Sequence, residues 1–274
     1  MPASTLWAGG GAVALGYFGF RYWGYRYFPF WFKGGQPGTE TPEDHGLPFR
    51  QVTIMSGRCR LAAWWVPAPE DGASGKAVVI YHGNQETLTD WPGAIAWLHA
   101  AGHAVLAFDY AGFGDSTGLS TPRQLQRDAW AAFHRCRELA GPSARIYLVG
   151  FSLGCAVLLH TLGRESRGAA GMVLVGAYAS VRDMLPRLLP LPRWSAFLFP
   201  NLHNDLRAIR QTRLPTLLLH STDDEVVPVA QARRLAERGG PEVRAREVDG
   251  PDHADLLRDP GSAYWDPLLS FLAG

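Results

Sequence analysis

The chain has 274 residues, of which 47% are hydrophobic and 19% charged, and its formal net charge at pH 7 is +1. This composition is typical of a globular protein, and the balanced charge without a basic tract argues against a nucleic-acid partner. The three cysteines, Cys59, Cys136 and Cys155, have no C-x-x-C spacing, so we expect buried free thiols rather than a disulfide framework or a zinc site.

The N-terminal segment, residues 1–33, is apolar and aromatic. No residue from 1 to 20 is charged, and Arg21 and Arg26 follow among aromatic side chains. The apolar stretch approaches the roughly 20 residues that a spanning helix needs. Arginines on its C-terminal side place the rest of the chain in the cytoplasm by the positive-inside rule. We therefore expect a membrane anchor carrying a cytoplasmic domain; the alternative is an apolar helix packed on a soluble cytoplasmic protein.

Residues 34–48 are rich in Gly, Pro and acidic side chains and are interpreted as a linker to a domain of residues 49–274. In that domain, short apolar runs alternate with helix-like stretches, which predicts a mostly parallel sheet covered by helices on both faces. The predicted strands are 50–56, 58–66, 77–82, 104–109, 146–149, 172–176, 216–220 and 243–248. The predicted helices are 90–101, 122–139, 153–164, 229–238 and 262–272. Residues 179–214 interrupt the alternation and are expected to form a small helical cap.

The strongest local motif is Gly150-Phe151-Ser152-Leu153-Gly154, which matches G-x-S-x-G between a predicted strand and a predicted helix. A sharp strand-to-helix turn exposes the serine hydroxyl above the sheet, and the glycines leave room for that turn. A serine that merely caps the helix would explain Ser152 but not both glycines. The motif predicts Ser152 as a nucleophile.

A serine nucleophile needs a base, and the base needs an orienting carboxylate. Hydrolases built on this kind of turn carry the acid and then the histidine after the serine. Two histidines lie well beyond the cap: His220, which ends a strand, and His253, which follows the last predicted strand. We expect His253 to be the base. Asp223 and Asp224 both follow strand 216–220, and the spacing to the next Val-Val-Pro favours Asp224 as the acid.

Acyl transfer also needs backbone donors for the oxyanion. We expect the amide of Leu153, directly after the nucleophile, and that of Asn84, in the His82-Gly83-Asn84 motif after strand 77–82. The glycine-rich loop at 109–118 matches neither the dinucleotide fingerprint nor the P-loop, so it is interpreted as structural. No cofactor and no metal are expected.

These motifs resemble those of the α/β-hydrolase superfamily over about residues 48–273, in particular its single-domain, short-capped serine hydrolases with an N-terminal apolar segment. The shared motifs are H-G-N at 82–84, D-Y-x-G-x-G-x-S-x-G at 109–118, G-x-S-x-G at 150–154, the H-x-T-x-D-x-V-V-P form at 220–228 and G-x-x-H-x-D-L at 250–256. The resemblance implies an α/β-hydrolase fold, a triad of Ser152, Asp224 and His253, and oxyanion donors at Asn84 and Leu153.

The sequence departs from that pattern at two places. Ser221 stands where the superfamily usually has glycine, and Gln85-Glu86-Thr87 replaces smaller residues after H-G-N. The second change is expected to bring the Glu86 carboxylate near the mouth of the site, which would disfavour acidic substrates.

The cap is expected to choose the substrate. Its apolar side chains, among them Leu188, Leu189, Trp194 and Phe197, would line an apolar pocket. Together with the expected anchor, they favour a small-molecule acyl ester or thioester of lipid origin. A serine peptidase or amidase of the same fold and a non-catalytic binding protein remain the alternatives. An aspartate-based dehalogenase is excluded because the turn carries Ser152. The sequence gives no indication of oligomeric state.

Overall fold

The computed structural model describes residues 16–19, 34–163, 168–188, 192, 194, 196, 203–250, 253 and 263–274. These residues form an eight-stranded sheet in the order β1-β2-β4-β3-β5-β6-β7-β8. The strands are β1 Arg50–Ser56, β2 Cys59–Val66, β3 Lys76–Tyr81, β4 Ala104–Phe108, β5 Arg145–Phe151, β6 Ala169–Val175, β7 Thr216–Ser221 and β8 Val243–Val248. The α-helices are α1 Pro92–Ala100, α2 Pro122–Ala140, α3 Leu153–His160, α4 Val181–Leu188, α5 Asp205–Ile209, α6 Val229–Arg238 and α7 Trp265–Ala273.

The sheet is mostly parallel, as the sequence predicts. Strand β2 runs antiparallel to both β1 and β4. From β4 to β8, every neighbouring pair is parallel. This architecture confirms the α/β-hydrolase fold expected from the motifs.

The middle strands are apolar along most of their length because both faces of the sheet are covered. In β3, Ala77, Val79 and Tyr81 pack into the core on one face of the sheet. Val78 and Ile80 alternate with them and pack into the core on the other face. Successive side chains of a strand point to opposite faces, so continuous burial requires a helical layer on each side.

The parallel strands bring their carboxyl ends to one edge of the sheet. The segments that follow β3, β5, β7 and β8 carry Asn84, Ser152, Asp224 and His253 respectively. In open α/β sheets, this edge is where ligands bind. The fold therefore brings the predicted site residues, which are far apart in the sequence, to the same edge of the sheet.

Within the predicted cap, the described residues 179–180 lie next to the described residues 204–205. Ser180 and Asn204 form an isolated β-bridge, and the Asp205 amide donates to the Ala179 carbonyl at 3.1 Å. Asp205 also accepts a hydrogen bond from His160, at the end of α3, over 2.9 Å between Oδ1 and Nε2. The base of the segment is thus tied to the helix that begins at Leu153. A cap over residues 179–214 stays a prediction, since much of it lies outside the described residues.

The predicted anchor, residues 1–33, also lies outside the described residues apart from the helical residues 16–19. Among the helices of the described ranges, none has the length and apolar character to cross a bilayer. All three cysteines are free, as expected; Cys136 and Cys155 are buried and Cys59 is half-buried.

Candidate active site

The turn between β5 and α3 holds Ser152 in a rare backbone conformation. Its φ is 50° and its ψ is −107°, which non-glycine residues seldom adopt. A Cβ on Gly154 would overlap the carbonyl oxygen of Tyr81, and one on Gly150 would lie 2.9 Å from the carbonyl oxygen of Gly154. Gly154 is therefore required for α3 to start this close to β3, and Gly150 for it to start this close to β5.

Asp224 and His253 form a buried hydrogen-bonded pair. Asp224 Oδ2 lies 2.7 Å from His253 Nδ1, and the two residues expose only 5% and 8% of their surface. The other carboxylate oxygen of Asp224 accepts from the amides of Val226 at 3.0 Å and Val227 at 2.6 Å. A buried carboxylate needs such donors to offset its lost hydration. The loop after β7 thus supplies hydrogen-bond donors to the buried carboxylate of Asp224.

This pair fixes the orientation of the His253 imidazole. When Nδ1–H is donated to Asp224, Nε2 keeps the lone pair that a general base uses. The imidazole centroid lies 4.9 Å from the ring centroid of Phe151, the residue before Ser152. The Asp224–His253 pair therefore sits beside the turn that carries the predicted nucleophile.

His220 supports the loop that carries Asp224. Its Nε2 lies 2.6 Å from the Val227 carbonyl, to which it donates, and 3.4 Å from Asp224 Oδ2. Burial lowers the pKa of His220, against the opposing effects of the Val227 carbonyl and the Asp224 carboxylate. A neutral imidazole with its proton on Nε2 therefore closes the loop. The sequence placed His220 at the end of a strand and at the start of the 220–228 motif, but nothing in the spacing indicated this contact.

Asp223 is exposed, unlike its neighbour. Its amide donates to Ser221 Oγ at 3.0 Å, and its carboxylate accepts from the Thr222 hydroxyl at 3.4 Å. Ser221 also donates to the Gly250 carbonyl at 3.2 Å, which joins the loop after β7 to the segment after β8. The serine that replaces the usual glycine thus helps to hold together the two segments carrying Asp224 and His253.

The two predicted oxyanion donors lie at the ends of β3 and β5. Leu153 is the first residue of α3, where amides have no partner within the helix. Asn84 lies in the tight turn that follows β3, and Gln85 in the same turn has a φ of 64°. Glu86 is 6% exposed, and its Oε2 accepts from the Gly83 amide at 2.6 Å. The carboxylate expected near the mouth of the site is therefore directed inward, against the loop itself.

His82 and Asp109 lie behind this turn. The His82 ring packs 4.6 Å from that of Tyr110, and its Nε2 lies 3.5 Å from Asp109 Oδ1. Burial lowers the pKa of His82, but the nearby carboxylates of Asp109 and Glu86 have the larger combined effect, so that the pKa is raised. Asp109 also accepts from the Leu88 amide at 2.9 Å. The glycine-rich loop thus has the structural role that the sequence predicts.

The four predicted substrate contacts are described only in part. Trp194 exposes 66% of its surface, and Leu188 is the last residue of α4. Leu189 and Phe197 lie outside the described residues. The roles of all four stay predictions.

A protein-family model described as serine aminopeptidase, S33, matches residues 72–212 of the chain. The lysophosphatidylserine lipase ABHD12 of Macaca fascicularis is 28% identical over 83% of this chain and 67% of its own length. The membrane protein YNL320W of Saccharomyces cerevisiae is 26% identical over 89% of this chain and 87% of its own length.

Among solved structures, the esterase Pf2001 of Pyrococcus furiosus superposes with a TM-score of 0.72 at 23% identity, covering 88% of this chain and 98% of the other. At that identity the likeness concerns the fold. It agrees with the order and direction of the strands described above.

Proposed function

The chain belongs to the α/β-hydrolase family described as serine aminopeptidase, S33, and from this membership we propose that it is a serine hydrolase cleaving an acyl ester or thioester. The observation that carries the proposal is the buried pair of Asp224 and His253, 2.7 Å apart. This pair lies beside a strand-to-helix turn that holds Ser152 at a φ of 50°.

In the proposed reaction, His253 Nε2 accepts the proton of Ser152 Oγ as the oxygen attacks the acyl carbonyl carbon. The amides of Asn84 and Leu153 donate hydrogen bonds to the oxyanion. His253 then gives the proton to the leaving alcohol or thiol, and an acyl-enzyme remains. Water, deprotonated by the same imidazole, attacks the carbonyl carbon of that ester; the acid is then released as the imidazolium returns the proton to Ser152 Oγ. Asp224 keeps the imidazole in the required tautomer and stabilises its positive charge.

The ester or thioester proposal is supported by the lipase activity in the name of ABHD12, a relative over most of the chain. The apolar composition of residues 179–214 also suits an acyl chain, and Met184 and Leu185 in α4 are buried. A peptidase is the second candidate, favoured by the description of the matching family. Both candidates use the same nucleophile, so they differ only in the leaving group.

The nucleophile is tested with a fluorophosphonate probe, which labels activated serines. We expect the wild type to be labelled and Ser152→Ala to be unlabelled. Ser143→Ala is the matched control, because Ser143 is an exposed serine just before β5, and it should react like the wild type. Labelling that persists in Ser152→Ala would overturn the proposal.

The substrate class is tested by a screen that includes p-nitrophenyl esters of increasing chain length, acyl thioesters and aminoacyl p-nitroanilides. We expect kcat/KM to rise with acyl length among the esters and the anilides to react far more slowly. Faster cleavage of the anilides would favour the peptidase.

We also propose that residues 1–33 attach the chain to a membrane, with the hydrolase domain in the cytoplasm. This proposal is supported by the uncharged run of residues 1–20 and by the membrane protein of yeast among the relatives. The test is a carbonate wash of membranes from cells expressing the whole chain or residues 34–274. We expect only the whole chain to stay in the pellet, and its release would contradict anchoring.

A further inference from the structure

In the turn that carries Asn84, the buried side chain of Glu86 folds back and accepts a hydrogen bond from the backbone of the turn. The Gly83 amide donates to Glu86 Oε2 over 2.6 Å, and both residues are buried. A carboxylate acceptor makes this hydrogen bond shorter and stronger than one between neutral groups. Between them, Gln85 adopts a left-handed φ of 64°. The conformation of the turn therefore depends on one side-chain acceptor.

The inner side of this turn also packs against the nucleophile turn. A Cβ on Gly83 would lie 2.9 Å from Glu86 Oε2 and 3.0 Å from Phe151 Cδ1. Both distances are shorter than carbon atoms normally tolerate, so Gly83, Glu86 and Phe151 fill the available space. The backbone of the turn is therefore in close contact with the Phe151 side chain of the nucleophile turn.

The outer side is covered by residues 34–38, which we call the strap. A Cβ on Gly35 would overlap the carbonyl oxygen of Gln85, and one on Gly34 would lie 2.8 Å from Phe113 Cα. Further along, the Gly38 amide donates to Thr89 Oγ1 at 2.7 Å. The strap thus lies directly on the turn and is fixed on both sides of it.

We propose that Glu86 and the strap together hold the Asn84 amide in position for the oxyanion. Glu86 acts as a positioning residue from inside the turn, and the strap supports the same turn from outside. This inference rests on the proposed function, since Asn84 matters only if an oxyanion forms. One preorganised donor is worth about 10²–10³ in kcat, and a displacement of about 1 Å can cost 10²-fold. Two adjacent glycines in the strap let its backbone come close enough to prevent such a displacement.

The strap is tested with Gly35→Ala, whose new methyl group would overlap the Gln85 carbonyl oxygen, so that the strap and the turn must move apart. We expect kcat for a p-nitrophenyl ester to fall about 10- to 100-fold, while KM changes by less than about threefold. The affinity for a trifluoromethyl ketone, which forms an oxyanion on the enzyme, should fall by the same factor as kcat/KM. Gly240→Ala is the matched control, because a Cβ there has no atom within 4 Å, and it should keep wild-type kinetics.

Glu86 is tested with two variants. Glu86→Gln keeps an oxygen that can accept from Gly83 and should retain kcat within about fivefold. Glu86→Ala removes the acceptor and should lose about 10- to 100-fold in kcat and in ketone affinity. This pair of variants tests the inference even if Gly35→Ala fails to fold.

Wild-type kcat and ketone affinity in folded Gly35→Ala and Glu86→Ala would overturn the inference while leaving the proposed function intact. A loss of kcat without a matching loss of ketone affinity would overturn it as well. Fluorophosphonate labelling that persists in Ser152→Ala would instead overturn the proposed function. The two failures are therefore distinguishable.

Discussion

Replacing Asp224 with asparagine tests the acid–base pair with almost no change in shape. The variant keeps an oxygen that can accept from the Val226 and Val227 amides, which lie 3.0 and 2.6 Å from the carboxylate. Its amide nitrogen, however, meets His253 Nδ1 as a donor. The imidazole must then carry its proton on Nε2, where the lone pair is needed. The predicted defect is a wrong tautomer in an otherwise intact site.

The size of the defect follows from the role of the carboxylate. In serine triads this substitution lowers kcat about 10⁴-fold, which corresponds to about 5 kcal/mol of transition-state stabilisation. The effect on folding should be smaller, about 1–3 kcal/mol, because one charge-assisted hydrogen bond is lost and two weakened. Activity should therefore fall far more than stability.

The measurement is kcat for a p-nitrophenyl ester, with urea unfolding of the same protein. Asp223→Asn is the matched control, because the Asp223 carboxylate is exposed and accepts from the Thr222 hydroxyl over a long 3.4 Å. It should keep kcat within about threefold. A drop of less than tenfold in Asp224→Asn, or an equal drop in Asp223→Asn, would refute the assignment of the acid.

Two further predictions concern folding. Gly154→Ala should lower the free energy of unfolding by about 1–3 kcal/mol or more and reduce fluorophosphonate labelling, because its Cβ would overlap the Tyr81 carbonyl oxygen. A urea unfolding curve and a labelling rate like those of the wild type would contradict this prediction. Burial and the nearby His160 hold the pKa of His203 well below 6.5, so the unfolded chain gains a proton near pH 6.5 before the folded one does. Between pH 7.5 and 5.5 the free energy of unfolding should therefore fall by up to about 1.4 kcal/mol more in the wild type than in His203→Gln. Urea unfolding at both pH values measures this, and an equal fall in the two proteins would contradict the prediction.

The fold was predictable because the sheet is covered on both faces. Strands such as β3 are then apolar at every position after the first, and their runs stand out between polar helices and turns. The predicted ranges 50–56 and 243–248 agree with β1 and β8. The range 146–149 was too short, because β5 continues through Gly150 and Phe151. Glycine weakens a strand assignment, and here its role is to fit the turn at Ser152.

Contacts that depend on burial in tertiary structure were not predictable. A glutamate in a loop is normally exposed, so nothing in the sequence indicated that Glu86 is buried against Gly83. Residues 34–38 have the Gly- and Pro-rich composition of a flexible linker. The same glycines are what allows the chain to lie on the Gln85 carbonyl. Composition alone cannot distinguish a linker from a close backbone contact.

The two aspartates after β7 illustrate how a local structure separates equivalent side chains. Both have the same chemistry, and only the positions of the donors differ. The amides of Val226 and Val227 face Asp224, while His220 holds the Val227 carbonyl on the opposite side at 2.6 Å. These contacts compensate for burying one carboxylate, whereas Asp223 remains in solvent, where it needs no such support. The Val-Val-Pro spacing therefore favours Asp224 for a physical reason: the residues two and three positions later supply the amides that a buried acid requires.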